Sequence, residues 1–139
     1  MSETAAKPVT VMFACRQNAG RSQIAAAIMK EKAPEGVTVL SAGTTPADEV
    51  HPETIQLLDE MGLSLVNEQP QILRDEDVKA SDWVITMGCG ESCPIYPGKQ
   101  YEDWEVQDPS GQPIEVVRSI RDDIEGRVDD LLNRISQGL

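Results

Sequence analysis

No apolar run in this chain approaches the roughly 20 residues that a membrane-spanning helix needs. The opening stretch, Met1-Ser-Glu-Thr-Ala-Ala-Lys7, carries nothing like the apolar segment of a secretory leader. Both absences point to a soluble, cytoplasmic protein with no membrane partner. Basic residues are scarce: 12 Lys and Arg stand against 24 Asp and Glu, a net charge of −12. That balance excludes nucleic acid as the expected partner. Histidine is nearly missing, with His51 alone, and there is no second cysteine pair, so a zinc site lacks ligands. Three cysteines, an odd number, argue against a structural disulfide framework and leave thiols for chemistry. Repeats, low-complexity tracts and linkers are also absent. The 139 residues are enough for one compact domain, 1–139, expected to be monomeric, with about the first six residues frayed.

What the chain does have is an alternation of β-type apolar runs and helical patterns. That alternation predicts an α/β three-layer sandwich: a four-stranded parallel sheet with helices on both faces. Strands are expected at Val9–Ala14, Val37–Leu40, Trp83–Met87 and within Tyr101–Val106. Ser41-Ala-Gly43 reads as a small-residue turn. Helices are expected from about Ser22 to Lys32, from His51 and Pro52 to Gly62, over Asp75–Ala80, and from Ile114 to Ile135 with Gly138 ending it. The last is the clearest. Ile114, Val117, Ile120, Ile124, Val128, Leu131 and Ile135 step by three or four, and Asp123/Arg127 and Asp130/Arg134 are acid-before-base pairs.

Between the first strand and the first helix lies Cys15-Arg-Gln-Asn-Ala-Gly-Arg21, followed by Ser22. A cysteine and an arginine with five residues between them, at a strand-to-helix turn, form a nucleophile inside an anion cradle. The loop of Arg16, Gln17, Asn18, Ala19 and Gly20 can curl its backbone N–H groups inward. The new helix adds unpaired donors and the positive end of its dipole. Arg21 supplies a planar fork for two oxygens of a tetrahedral oxyanion. Such surroundings favour thiolate over thiol. The acidic surface does not prevent this, because exposed charges are screened beyond about 8 Å at physiological salt. Ser22 has two candidate roles, helix N-cap or hydroxyl partner of the Cys15 sulfur. Asn18 is placed to hold the loop, and Arg16 adds local positive charge.

An attack on an oxyanion needs an acid for the departing oxygen. Asp108, stiffened by Pro109 and following the fourth strand, is the candidate, although Asp-Pro alone is also a common turn opener. A second constellation is Cys89 and Cys93, four residues apart in Gly88-Cys-Gly-Glu-Ser-Cys-Pro94. On a regular helix that spacing leaves Cβ atoms about 5–6 Å apart, against roughly 3.5–4.5 Å in a disulfide. Gly88, Gly90 and Pro94 favour the irregular path that a redox pair requires; a buried thiol with an accidental neighbour is the plain alternative. His51 reads as a helix-start residue, and Trp83, Tyr101 and Trp104 as packing.

Taken together, Cys15-Arg-Gln-Asn-Ala-Gly-Arg-Ser22 and Asp108-Pro109 resemble the low-molecular-weight protein tyrosine phosphatase fold. More narrowly, the chain resembles the arsenate reductases built on it, particularly the actinobacterial type. The likeness extends through Ser41-Ala-Gly43, Thr86-Met-Gly-Cys89, Cys93-Pro94 and Tyr101-Glu-Asp-Trp104. Phosphatases of this fold usually have proline where Gln23 stands, and tyrosines after Asp-Pro where Ser110 and Gly111 stand. Both departures favour the reductase.

The resemblance implies that Cys15 attacks arsenate while Asp108 protonates the leaving oxygen. Cys89 then attacks Cys15 and releases arsenite, and Cys93 attacks Cys89. The resulting Cys89–Cys93 disulfide passes to a thiol reductant, thioredoxin or, for part of the cycle, mycothiol, in a detoxifying reaction with no bound cofactor. Some members hold potassium through an asparagine, a serine and a glutamate; Asn18 and Ser41 match, but Ala26 replaces the acid, and no metal is expected. The other readings are a phosphomonoester hydrolase using Cys15 and Asp108, and a non-catalytic oxyanion- or arsenite-binding protein.

Overall fold

The computed structural model describes residues 8–63, 69–87 and 98–136. The elements run β1 (Val9–Cys15), α1 (Arg21–Lys32), β2 (Val37–Gly43), α2 (Pro52–Glu60), α3 (Asp75–Ala80), β3 (Trp83–Met87), β4 (Gln100–Asp103) and α4 (Ile114–Ser136). The four strands form one parallel sheet in the order β2-β1-β3-β4. β1 lies in its interior, and Val11 through Cys15 are all buried. A strand covered on both faces needs apolar residues at every position, which Val-Met-Phe-Ala supplies.

Alternation along β1 assigns the two faces. Val11, Phe13 and Cys15 join Ile24 and Ile28 of α1, Leu57 of α2 and the apolar stripe of α4, in the larger core. Met12 points the other way, with Val84 of β3 and Val78 of α3. The three-layer arrangement follows. The stripe read from the sequence of α4 is the buried one, with Val117, Ile120, Ile124, Val128 and Leu131 inside.

One expectation is corrected. Ser41-Ala-Gly43 is not a turn: it continues β2, pairing Phe13 with Ser41, Ala14 with Ala42 and Cys15 with Gly43. Their small side chains allow the strand to run up against the loop that follows β1. The fourth strand, expected within Tyr101–Val106, runs over Gln100–Asp103. Trp104 N–H still donates to Thr86 O at 2.8 Å, but its indole turns into the core against Phe13, with ring centroids 5.7 Å apart. Val106 O then leaves the ladder and accepts from Arg21.

The open edge of the sheet is tied down by charge. Arg134 of α4 pairs with both carboxylate oxygens of Glu102 on β4, and lies 5.6 Å over the Trp83 ring. The Arg134 hydrogen bond is the main cause holding the Glu102 carboxyl below its ordinary pKa, with the Trp104 indole donor adding to it and burial opposing. A lowered native value means that this stabilisation is complete above about pH 5, where the carboxylate is ionised in both states. It is lost as pH falls through the native value. Glu102→Gln is therefore expected to cost roughly 1 kcal/mol at pH 7, the pair being partly exposed. Urea melts should show its deficit against wild type shrinking below about pH 4.5.

With β1 central, the strand order reverses between β2 and β3. In open parallel sheets the crevice beyond the carboxyl ends at such a reversal is where ligands bind. The loop after β1 opens there.

Candidate active site

β1 ends at Cys15, and α1 begins at Arg21. The five residues between them are held from outside. The carbonyls of Cys15, Arg16, Gln17 and Ala19 accept from the N–H groups of Thr44, Thr45, Ala47 and His51, at 3.2, 2.8, 3.0 and 3.0 Å. In a planar trans peptide the N–H lies opposite the carbonyl. The N–H groups of Arg16, Gln17, Asn18 and Gly20 therefore turn inward. Asn18 N–H shows the direction, reaching Cys15 Sγ at 3.2 Å.

Asn18 is the hub. Its φ of 53° is in the left-handed region that asparagine tolerates. Its side chain is fully buried, and Oδ1 accepts from Gln71 N–H at 2.9 Å. A backbone N–H can only donate, so this contact fixes which way the amide faces. Gln23 Nε2 donates to the same Oδ1 at 3.3 Å and to Asn18 O at 3.0 Å. Asn18 Nδ2 must then donate to Ser22 Oγ, 2.7 Å away. Ser22 Oγ lies 2.8 Å from Cys15 Sγ, and it is the donor of that pair whenever the sulfur is a thiolate, which has no proton to give. The Ser22 hydroxyl and Asn18 N–H thus converge on one buried sulfur.

The two candidate roles of Ser22 are separated by this geometry. The N-cap position of α1 belongs to Gly20, without a side-chain cap, and the Ser22 hydroxyl goes to Cys15. Gln23, noted in the sequence only as a substitute for proline, proves to be a buried donor that braces Asn18.

Gly43 lets β2 pass directly beneath this loop. A Cβ there would lie 2.7 Å from Arg16 O and 2.9 Å from Asn18 N. Both are backbone atoms already hydrogen-bonded, so neither can yield cheaply. Gly43→Ala is expected to cost about 1–3 kcal/mol and to weaken inorganic phosphate binding. Denaturant melts and calorimetric titration read the two effects separately.

Above the sulfur is an open cleft of about 450 Å³, lined by Cys15, Arg16, Gln17, Gly20, Arg21, His51, Asp108 and Ser110. Arg21 is braced by its donation to Val106 O at 3.2 Å. Asp108 is exposed at the rim, where its Oδ1 accepts from Ser110 N–H at 3.0 Å. Pro109 is buried against Gly20; a Cβ on that glycine would meet Pro109 Cγ at 3.2 Å. Cys15, Arg16, Gln17, Gly20, Arg21 and Asp108 therefore share one cavity, while Asn18, Ala19 and Ser22 form its buried support. Cys89 and Cys93 lie outside the described residues. His51 is the member that the sequence did not disclose: a residue opening a helix carries no local sign of which wall its ring will form. Chemically, the cleft offers a buried sulfur nucleophile, inward amides and a guanidinium for a tetrahedral anion, and a carboxyl at the rim.

The low molecular weight phosphotyrosine protein phosphatase family model matches residues 10–138. A thioredoxin-dependent arsenate reductase of Corynebacterium glutamicum superposes with a TM-score of 0.84 at 40% identity, covering 98% of this chain and 66% of that one. The chain thus spans about two thirds of that protein's length. The glutaredoxin arsenate reductase of Synechocystis is 33% identical over 129 residues, 91% of this chain and 98% of that protein. The arginine phosphatase YwlE of Geobacillus stearothermophilus superposes with a TM-score of 0.80 at 27% identity, covering 94% and 95%.

Proposed function

The chain belongs to the low-molecular-weight phosphotyrosine protein phosphatase family, and from that footing we propose that it reduces arsenate to arsenite. The observation that carries the reading is the sulfur of Cys15. It meets the Ser22 hydroxyl and accepts from Asn18 N–H at the floor of a polar cleft that also holds Arg21 and Asp108. Two relatives with that activity in their names, matched at 33% and 40% identity, support arsenate over other oxyanions.

The Cys15 thiolate attacks arsenic, and an As–O bond breaks. Asp108 gives its proton to the departing oxygen, which leaves as water, while Arg21 and the loop amides hold the remaining oxygens. Cys89 thiolate then attacks Cys15 Sγ. A sulfur–sulfur bond forms, and the S–As electron pair stays on arsenic, taking it from the pentavalent to the trivalent state as arsenite departs. Cys93 attacks Cys89, freeing Cys15 as thiolate. The Cys89–Cys93 disulfide accepts two electrons from thioredoxin, or from a low-molecular-weight thiol such as mycothiol. No bound cofactor enters the cycle, and the physiological outcome is removal of arsenate.

The cleft lining supports a small inorganic oxyanion. Among the described residues its lining contains no Phe, Tyr or Trp on which the ring of an aryl phosphate could stack. Phosphomonoester hydrolysis remains the second reading, favoured by the likeness to the arginine phosphatase, and it uses the same Cys15 and Asp108.

The test is arsenate-dependent NADPH consumption with thioredoxin and its reductase, run beside a mycothiol-coupled system. Consumption in either supports the reductase; failure of both, with rapid aryl phosphate turnover insensitive to loss of Cys89, assigns the hydrolase. Asp108→Asn is expected to lower kcat about 100-fold or more while KM shifts about twofold at most. Asparagine keeps the oxygen that accepts from Ser110 N–H and loses only the proton.

A further inference from the structure

His51 is the N-cap residue of α2, yet its side chain caps nothing. Its backbone is fixed: N–H donates to Ala19 O, and its carbonyl accepts from Thr54 and Ile55. Its ring lines the cleft beside Cys15, Arg21 and Asp108. Nδ1, however, is buried without a hydrogen-bond partner, close to Gly20, from whose notional Cβ it lies 3.7 Å. Pro109 packs on the same glycine.

A neutral imidazole carries one N–H and one lone pair. Burying an N–H without an acceptor costs more than leaving a lone pair unused, so the tautomer protonated on Nε2 is the one this burial favours. With Nδ1 buried beside Gly20 and the ring lining the cleft, Nε2 is the ring nitrogen left to meet a bound anion. The hydrogen bond from His51 N–H to Ala19 O ties the ring's position to the very loop that cradles the anion.

We propose that His51 Nε2–H donates a hydrogen bond to the tetrahedral oxyanion bound over Cys15, making His51 a substrate-binding residue alongside Arg21. This rests on the oxyanion chemistry of the site put forward above. The donor is held in place from the backbone, so it adds orientation to a site that Arg16 and Arg21 already make positive. In the reaction it holds an oxygen of the oxyanion while Cys15 attacks, and it transfers no proton.

The experiment is calorimetric titration of the reduced protein with inorganic phosphate, which occupies the site without requiring electron transfer. A protein that failed to reduce arsenate would still answer the question. Three variants separate the possibilities. His51→Gln can present an amide N–H where Nε2 stands, His51→Asn reaches only the Nδ1 position, and His51→Phe keeps the ring without a donor. The expected result is a Kd for phosphate about ten- to 150-fold higher in His51→Phe and His51→Asn, the usual size for a hydrogen bond to a charged acceptor. His51→Gln should bind within about twofold of wild type, because it restores that donor. Equal affinity of wild type and His51→Phe would overturn the proposal. So would a His51→Gln protein as weak as His51→Asn, which would make the ring a packing element only. If the phenylalanine variant does not fold, the contrast between glutamine and asparagine decides alone.

Discussion

Cys15→Ser should abolish arsenate reduction, lowering turnover by more than about 1,000-fold, while leaving inorganic phosphate binding nearly intact. The two halves of this result have different physical origins. Serine at this position is a neutral hydroxyl with a far higher pKa, so no anionic nucleophile forms. Nor can an oxygen make the sulfur–sulfur bond into which the thiols' electrons pass. The cradle, by contrast, is made by parts that the substitution does not touch. The carbonyl clamps on Cys15, Arg16, Gln17 and Ala19 are backbone contacts, and Asn18 is held by Gln71 and Gln23. A serine hydroxyl can also remain within hydrogen-bond reach of Ser22 and Asn18 N–H. Coupled NADPH consumption reads the first half and phosphate titration the second. Loss of both together would mean that the sulfur supports the loop rather than reacting from it.

Cys89→Ser should be equally severe in steady state, with multiple turnover at background, but it should stop the reaction at a different species. Without the second thiol the arsenylated Cys15 has no attacker, so mass spectrometry should find arsenate attached and no arsenite released. Cys93→Ser should release one arsenite per chain and then halt as a Cys15–Cys89 disulfide. The contrast follows from the order of bond making, because arsenic is reduced when Cys89 takes Cys15 and not when Cys93 takes Cys89. Sustained turnover by either variant with thioredoxin would remove the three-thiol relay. The hydrolytic reading predicts instead that both variants keep full activity on a phosphate ester.

How much of this was legible in the chain depends on the range of the interactions concerned. β1 and α4 could be read directly. A run buried on both faces must be apolar throughout, and a helix lying on the sheet must repeat its apolar residues at three and four. The Cys15–Arg21 loop was legible because its chemistry is concentrated in eight consecutive residues, Cys15 to Ser22. Ser41-Ala-Gly43 was misread as a turn because small residues usually mark one. Here they are small so that β2 can run beneath the loop, and Gly43 has backbone atoms within 3.0 Å of where a Cβ would stand. Where β4 ends within Tyr101–Val106 was not legible, because Trp104 and Val106 look like strand, whereas their partners are Phe13 and Arg21, far away in sequence.

The sequence by itself determined the make-up of the Cys15–Arg21 loop: a thiol and an arginine with five residues between them, at a strand-to-helix turn. Those are properties of residue types at short spacing, and short spacing survives any packing. Only the tertiary structure decided how the sulfur is held. Gln71 lies 53 residues from Asn18, yet its N–H orients the Asn18 amide, whose Nδ2 donates to the Ser22 hydroxyl that meets Cys15 Sγ. The same is true of His51, whose ring enters the cleft because its backbone N–H is tied to Ala19 O. Hydrogen-bond direction depends on which groups meet in space, and no local pattern encodes meetings between segments that distant.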